Sequence, residues 1–356
     1  MESKIVTTHA ALLEITDSLC TLWKNLAKST NSNCSLFPGW VEITAKSHDI
    51  AQGCVVVAAQ QNNELVALLP VTLSSSTTAG MRLRALDLVS NYVSYHNQPI
   101  ASLDPEETIE ILVDEANRQD ADMIRLVGIP DESSIGVYLQ ERDLRNAYRL
   151  QSMRGEASPY LPLKGTWEQL LASKPKKFRY KTRKRTESLD SSTLNMKWFE
   201  DIEDCPALLE AMQIVEQNSW KKQAGVSIFE RSNERRYYEL LLPYLASRRS
   251  MFANVLFHED SPIAYNLCCS SERWVGQMKT SFDTEFAALS PGSLVIDHAI
   301  MQAIERGASE FDFLGGTDPH KLAWSKLVRS HTDYFLYLKS SFKGNIIGAL
   351  KRLRSH

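Results

Sequence analysis

Apolar and polar positions alternate with two different periods along the chain, and the changes of period mark its elements. The first series predicts three strands, a helix and a strand at 54–59, 65–73, 82–89, 108–119 and 122–128. The second series repeats that order, with the helix after Pro291, at 251–257, 263–269, 273–282, 291–306 and 311–314. A Ser/Thr-rich loop is predicted after residue 73. The repetition predicts two copies of one α/β unit.

The helix that precedes the last of these strands begins in a recognisable way. Ser290 is a favourable N-cap residue, and Pro291 suits the first helical position because that position needs no N–H donor. The N–H groups of Gly292, Ser293 and Leu294 would then meet the positive end of the helix dipole. We therefore predict an anion site at Ser290, Gly292, Ser293 and Leu294. An ordinary capped helix is the alternative interpretation.

The two copies differ where the anion would bind. The segment 103–107 aligns with 289–293, and it places Glu106 and Glu107 where the second copy has Gly292 and Ser293. Two carboxylates would repel a phosphate, whereas a glycine lets it approach the backbone. The sequence thus predicts one structural half and one half equipped for binding.

Length and composition limit the class of protein. The chain of 356 residues is long enough for two domains, predicted at 1–160 and 161–340, with a basic amphipathic tail at 341–356. The amino terminus lacks the apolar run of a signal peptide, and no run is long enough to span a bilayer. The six cysteines show no metal-binding spacing, so we expect reduced thiols, no metal and a cytoplasmic location.

Charge is distributed unevenly. The net charge is −3, but 174–185 contains eight basic residues and no acid, which leaves −11 on the remainder. Such a strip indicates a local anionic partner or a solvated helix face, not general nucleic-acid binding. The tail could contact an anionic membrane at its inner face, or dock on the protein's own surface.

Several short motifs together resemble a known family. They are Ser290-Pro291-Gly292, the strand and turn at 311–316, Lys321 with Trp324, and Ser219-Trp220-Lys221. With the strand order, they resemble the GNAT acyltransferase fold, and specifically the double-GNAT group of CelD-like acetyltransferases, relatives of the Fem aminoacyl transferases. The resemblance covers nearly the whole chain. A complete Gln/Arg-x-x-Gly-x-Gly/Ala pyrophosphate loop is absent.

The resemblance implies a fold of two tandem GNAT-like α/β domains and an acyltransferase activity. The donor would be an acyl-CoA, acetyl-CoA above all. The acceptor would be an amine or hydroxyl of a small molecule or of a glycan precursor for the cell envelope or an exopolysaccharide. Backbone N–H groups of the strand 273–282 would stabilise the oxyanion, and a base would remove the acceptor proton.

The residues predicted to take part in catalysis are Asp312, Lys321 and Lys279. Asp312 is the leading base, because a carboxylate in a buried strand needs a partner or a raised pKa; a structural salt bridge to Lys321 or Lys279 is the alternative. Lys321 would hold a phosphate or the acceptor. Asp283, Tyr265 and His320 are weaker candidates, as is Lys279.

Two other functions fit the same residues. One is a Fem-like aminoacyl transferase that uses charged tRNA and contacts its backbone through 174–185; steep loss of activity with salt would favour it. The other is a non-catalytic binding protein on a duplicated GNAT fold. Stabilisation by acetyl-CoA is expected only of the acyl-CoA-dependent enzyme.

Overall fold

A computed structural model describes residues 5–29, 34–92, 96–141, 147–190, 193–271 and 273–354. The chain forms two compact units. Unit 1 comprises Met1–Glu156 and Arg329–His356, and unit 2 comprises Ala157–Val328. Each unit is built around one mixed β-sheet.

The described segments contain fifteen strands and twelve α-helices. The strands are β1 (Val6–Ala11), β2 (Val55–Gln61), β3 (Glu64–Thr78), β4 (Met81–Leu88), β5 (Ile100–Ala101), β6 (Met123–Pro130), β7 (Tyr148–Arg154), β8 (Ser158–Pro162), β9 (Leu194–Phe199), β10 (Met251–His258), β11 (Ser261–Ser271), β12 (Trp274–Phe282), β13 (Glu310–Asp312), β14 (Val328–Arg329) and β15 (His331–Leu338). The helices are α1 (Asp17–Ser29), α2 (Pro38–Ser47), α3 (Pro105–Arg118), α4 (Ser134–Glu141), α5 (Trp167–Ala172), α6 (Lys176–Glu187), α7 (Cys205–Gln217), α8 (Trp220–Gln223), α9 (Ser232–Ser247), α10 (Pro291–Glu305), α11 (Pro319–Trp324) and α12 (Phe342–Arg354).

The sheet of unit 1 has the order β1-β2-β3-β4-β6-β15-β7, with β5 paired to β3. Strands β4 and β6 are parallel, and helix α3 lies between them in the chain as the crossover that a parallel pair requires. Its core is formed by fully buried aliphatic side chains, among them Leu69, Leu86, Leu112, Leu126 and Leu336.

The hairpin β3–β4 is longer than predicted. The Ser/Thr run after residue 73 was expected to be a loop, but Ser74 to Thr78 pair with Ala85 to Met81. Ala79 and Gly80, both with positive φ, form the turn, as a tight hairpin with a right-handed twist requires. Threonine fits a half-exposed strand well, so a polar composition does not exclude one here.

The carboxyl-terminal segment differs most from the predicted domain boundaries. Strand β15 lies between β6 and β7, so residues from Arg329 onward belong to unit 1 and not to a second domain ending at 340. In the tail, Ile347 of α12 is fully buried against unit 1, and a Cβ at Gly348 would lie 2.8 Å from the Cβ of Tyr337. One apolar residue of the tail, Ile347, is thus buried in unit 1, whereas Phe342 (80% exposed) and Leu350 (46%) lie at the surface; residues 355–356 lie outside the described part.

The sheet of unit 2 has the order β14-β8-β13-β12-β11-β10-β9. Strands β10, β11 and β12 form the predicted antiparallel meander, and α10 connects β12 to the parallel strand β13. One face packs against α10, where Phe252, Cys268 and Phe311 are buried with Ile300. The opposite face carries Tyr265, which contacts α7.

Candidate functional site

Strand β12 separates from β13 near the middle of the unit 2 sheet. The two strands pair only from Trp274–Glu310 to Gly276–Asp312, after which β12 continues to Phe282. The register with β11 shifts at the same level, because Leu267 lies opposite Lys279 and Cys268 lies opposite Gln277. Met278 is therefore the extra residue of a β-bulge, two residues beyond the last β13 pair. The bulge lies where β12 extends past its pairing with β13, and we refer to this end of the β12–β13 pairing as the opening.

The start of α10 offers fewer amides than predicted. Ser290 is left-handed (φ 53°, ψ 47°), and its side chain makes no capping hydrogen bond. Its carbonyl accepts the N–H groups of Ser293 (3.1 Å) and Leu294 (3.2 Å). The N–H groups of Ser293 and Leu294 are thus both engaged in the helix and are not free as predicted, and Pro291 has no N–H. Gly292 N–H is the predicted donor for which the structure shows no such bond.

Gly292 has a packing role as well. It is half-buried, and a Cβ built on it would lie 2.9 Å from Cδ1 of Phe282, closer than real Cβ contacts. The absence of a side chain lets α10 begin directly against the end of β12. The prediction attributed this glycine to the approach of a phosphate; contact with Phe282 is a sufficient reason by itself.

Asp312 and Lys321 both form hydrogen bonds with the turn at Leu314 and Gly315. Asp312 is fully buried, and its Oδ1 accepts the N–H of Leu314 at 2.8 Å. Lys321 is 9% exposed, and its Nζ donates to the carbonyls of Leu314 (2.9 Å) and Gly315. Leu314 has a positive φ of 45°, a strained conformation that these bonds stabilise. The predicted pair therefore meets at Leu314.

Lys279 lies on the same face of the sheet as Asp312. Asp312 pairs with Gly276, which in turn lies opposite Cys269 of β11. Lys279 lies opposite Leu267, two residues before Cys269. Because alternate residues of a strand point to the same face, all of these side-chain positions share one face of the sheet. Along β12, Gly276 and Lys279 are three residues apart, a distance of about 10 Å. Lys279 Nζ is 4.0 Å from Glu234 Oε2, and both side chains are about one-quarter exposed. This is the face away from α10.

A buried carboxylate that the sequence analysis missed organises this face. Glu216, at the end of α7, is fully buried and accepts four hydrogen bonds. Its Oε1 accepts from Tyr265 Oη (2.6 Å) and Lys221 Nζ (3.1 Å), and its Oε2 from Ser227 Oγ (2.7 Å) and Ile228 N (2.9 Å). Lys221 Nζ also donates to the carbonyl of Thr280 at 2.7 Å, two residues after the bulge. The cluster thus ties α7 and α8 to β12.

The pKa values in this cluster follow from burial and pairing. Burial lowers the pKa of Lys221, against the opposing effect of Glu216. Burial by itself would raise the pKa of Glu216, but Lys221 and the hydrogen bonds bring it below its ordinary value. Burial and Glu216 together raise the pKa of Tyr265 well above its ordinary value. At neutral pH the cluster holds a carboxylate and a neutral phenol.

Two weaker candidates have plain structural surroundings. Asp283 is buried and its Oδ1 accepts the N–H of Glu285 at 2.9 Å, which begins a short 3₁₀ turn. His320 is exposed in the first turn of α11. Neither position joins the opening beside Met278.

The basic run forms a helix, as predicted from Pro175. Pro175 is the N-cap of α6, and Phe178 packs edge-on against Trp324 with ring centroids 4.8 Å apart. Arg185 donates to Oδ2 of Asp297 on α10, at 2.6 and 2.9 Å. Burial nevertheless raises the pKa of Asp297 to about 7.

Comparison with known proteins decides the family of this domain. Residues 176–322 match the family model described as an acetyltransferase (GNAT) domain. The matched stretch is similar to an acetyltransferase (GNAT) domain. It spans α6 to α11 and includes the bulge at Met278 and the start of α10. No curated protein matches the sequence.

Solved structures extend the likeness to the whole chain. FemX is 13% identical with a TM-score of 0.63, over 96% of this chain and 100% of that chain. A conserved protein of unknown function from Bacteroides thetaiotaomicron VPI-5482 is 12% identical with a TM-score of 0.63, over 93% and 100%. The C-terminal domain of a putative lysylphosphatidylglycerol synthetase from Agrobacterium fabrum is 10% identical with a TM-score of 0.56, over 93% and 94%.

At these identities the likeness is one of fold. The predicted fold class, two tandem GNAT-like α/β units, is confirmed, and so is the resemblance to the double-GNAT, Fem-related group. The fold is that of the GNAT acyltransferases. In the described part of the chain, no helix has the length and apolar character that crossing a membrane requires, and no group of three or more His, Cys, Asp or Glu could hold a metal ion.

Proposed function

We propose that this protein transfers an acyl group from a thioester, acetyl-CoA above all, to an amine or hydroxyl acceptor. The observation that carries the proposal is the bulge at Met278 beside the opening between β12 and β13. A backbone N–H in such an opening can donate to the oxygen on which negative charge develops during acyl transfer. The GNAT domain match over this segment supports the same reaction class.

The chemistry assigned to the opening is direct transfer. The acceptor attacks the thioester carbonyl, the C–S bond breaks, the thiolate leaves with a proton, and the acceptor's proton passes to a base. Lys279 lies one residue from Met278 and is the predicted catalytic residue nearest to it along the strand. We assign Asp312 and Lys321 to holding the turn at Leu314, with Asp312 still available as the base.

The donor's phosphates are assigned to the start of α10. Gly292 N–H lies at the positive end of that helix, next to Phe282 at the end of β12. Four residues of strand, about 13 Å, separate Phe282 from Met278. A donor extended along β12 would therefore reach from α10 to the bulge. The acceptor is proposed to be a glycan precursor, as the sequence resemblance implies.

Replacement of Met278 tests the proposed function. Met278→Pro removes the backbone N–H and nothing charged, while Met278→Leu retains it as the matched control. We expect acetyl-CoA to raise the melting temperature of the wild type and of both variants. Transfer from labelled acetyl-CoA to an acceptor extract should fall about 100-fold in Met278→Pro alone.

The alternatives give different results. Absence of stabilisation by acetyl-CoA, together with transfer from charged tRNA, would replace the proposal by an aminoacyl transferase. Absence of binding to either donor would leave a binding protein. Equal transfer by Met278→Pro and Met278→Leu would show that the bulge amide has no part in the reaction.

A further inference from the structure

Helix α6 presents a basic face to solvent. Phe178 and Thr182 point inward, the latter fully buried, and Arg185 reaches α10. The outward residues share high exposure, and we call them the α6 basic face: Lys176, Lys177, Tyr180, Lys181, Arg183 and Lys184. At about 100° per residue they span an arc of about 160°, with Tyr180 and Lys184 near its middle. One exposed acid, Glu187, follows at the end of the helix.

Two of the three arginines of α6 bind other groups of the protein and are not directed at solvent. Arg179 donates to the carbonyls of Ala172 (3.1 Å) and Lys174 (3.0 Å), and Arg185 pairs with Asp297. Lys174 donates to the carbonyl of Trp324. These contacts fix the helix to the rest of unit 2. They leave mainly lysines on the exposed side.

The α6 basic face carries five exposed cations. Within the described part of the chain, none of them forms an ion pair. Lys177 and Lys181 are four residues apart, a spacing at which like charges destabilise a helix. Lys176 and Lys177 also lie in the first turn, where no acid offsets the helix dipole. The face has an electrostatic cost that an anionic partner would remove.

The chemistry of this face favours a diffuse anionic surface. Lysine is a compact point charge on a flexible stem, whereas directed recognition of phosphates in nucleic acids favours the planar fork of arginine. Long lysine stems can bring their charges to a common plane. Tyr180 is 66% exposed among these cations, and an amphipathic ring of this kind suits the headgroup level of a bilayer.

We propose that the α6 basic face binds the headgroups of an anionic phospholipid bilayer. The chain outside 174–185 has a net charge of −11, which would turn the rest of the protein away from such a surface, so the binding would also orient the molecule. The tail, for which the sequence left membrane contact and docking on the protein as alternatives, has Ile347 buried in unit 1 and Phe342 and Leu350 exposed. The proposal does not depend on acyl transfer.

Sedimentation with vesicles tests it on the full chain. The probes are vesicles of phosphatidylcholine with and without phosphatidylglycerol. The variant is Lys177→Gln/Lys181→Gln/Lys184→Gln, and the control with the same charge change is Lys339→Gln/Lys343→Gln/Lys351→Gln. All these lysines are exposed or half-buried, and circular dichroism confirms the fold of both variants.

We expect binding only to vesicles with phosphatidylglycerol, a roughly 100-fold weaker partition of the α6 variant, and a much smaller change in the control. Binding should also decrease strongly between about 0.1 M and 1 M salt, as the Debye length falls from about 10 to 3 Å. No binding by the wild type, or equal losses in both variants, would overturn the proposal. The proposal would also be overturned if the wild type bound no vesicles but shifted bulk tRNA in a gel, and the α6 variant lost that shift. This result would assign the α6 basic face to nucleic-acid binding.

Discussion

Replacement of Glu216 by glutamine tests the buried cluster on the face of the sheet away from α10. Each carboxylate oxygen of Glu216 accepts two hydrogen bonds, from Tyr265 and Lys221 on one side and from Ser227 and Ile228 on the other. Glutamine has the same shape but only one oxygen. In either orientation its NH₂ group faces two donors and cannot accept from them.

The expected loss is large because the carboxylate of Glu216 is fully buried. Hydrogen bonds to charged groups contribute about 1.5–3 kcal/mol each, and removal of one partner of a buried ion pair costs about 3–5 kcal/mol. Lys221 would remain buried without its carboxylate, with the Thr280 carbonyl as its remaining acceptor among the bonds described above. We therefore expect Glu216→Gln to lower the free energy of unfolding by about 3–5 kcal/mol, a large part of typical domain stability.

Urea denaturation followed by tryptophan fluorescence measures this loss. Five of the seven Trp residues lie in unit 2, so the signal reports mainly on that unit. Glu210→Gln, an exposed change on the same helix, is the control and should alter stability by less than about 0.5 kcal/mol. In the double variant with Lys221→Met, the loss should be smaller than the sum of the single losses by at least about 1 kcal/mol. A loss under about 1 kcal/mol for Glu216→Gln would refute this account of the cluster.

Three further predictions use the same denaturation assay. The pKa of Asp297 in the folded protein, about 7, exceeds its ordinary 3.8, so the free energy of unfolding should fall as pH rises through 7, by about 1.4 kcal/mol between pH 6 and 8. Asp297→Asn should remove that dependence. Equal slopes of stability against pH in the wild type and the variant would contradict this prediction. Gly292→Ala should cost about 1–3 kcal/mol through contact with Phe282, and Phe282→Leu should relieve part of the loss. Lys321→Met should cost about 2–4 kcal/mol, because it leaves the carbonyls of Leu314 and Gly315 unpaired; unchanged stability would exclude a role in that turn.

The position of the candidate site along the chain could be predicted from the sequence, but the hydrogen bonds of its residues could not. The pattern at Pro291 correctly marks the start of α10, and the single acid of the predicted strand, Asp312, does lie beside the opening in the sheet. That Leu294 N–H is engaged follows from ordinary helix geometry, because it lies four residues after the Ser290 cap; that Ser293 N–H is also engaged depends on a tighter first turn, which a cap motif does not specify. Glu216 could have drawn attention as an acid amid the apolar positions of α7. Its four partners come from three segments, namely Lys221, the adjacent pair Ser227 and Ile228, and Tyr265 on β11, and no periodic pattern connects them.

The sequence by itself determined the order of the elements, the duplication and the inward side of α6, because hydrophobic period, caps and turn residues act over a few neighbouring positions. Only the tertiary structure decided that β15 joins the sheet of unit 1, and that β12 bulges at Met278 where β13 ends. Those features depend on which strands pair and in what register. Pairing is a competition between distant segments for one core, and the pattern of a single segment does not contain its result.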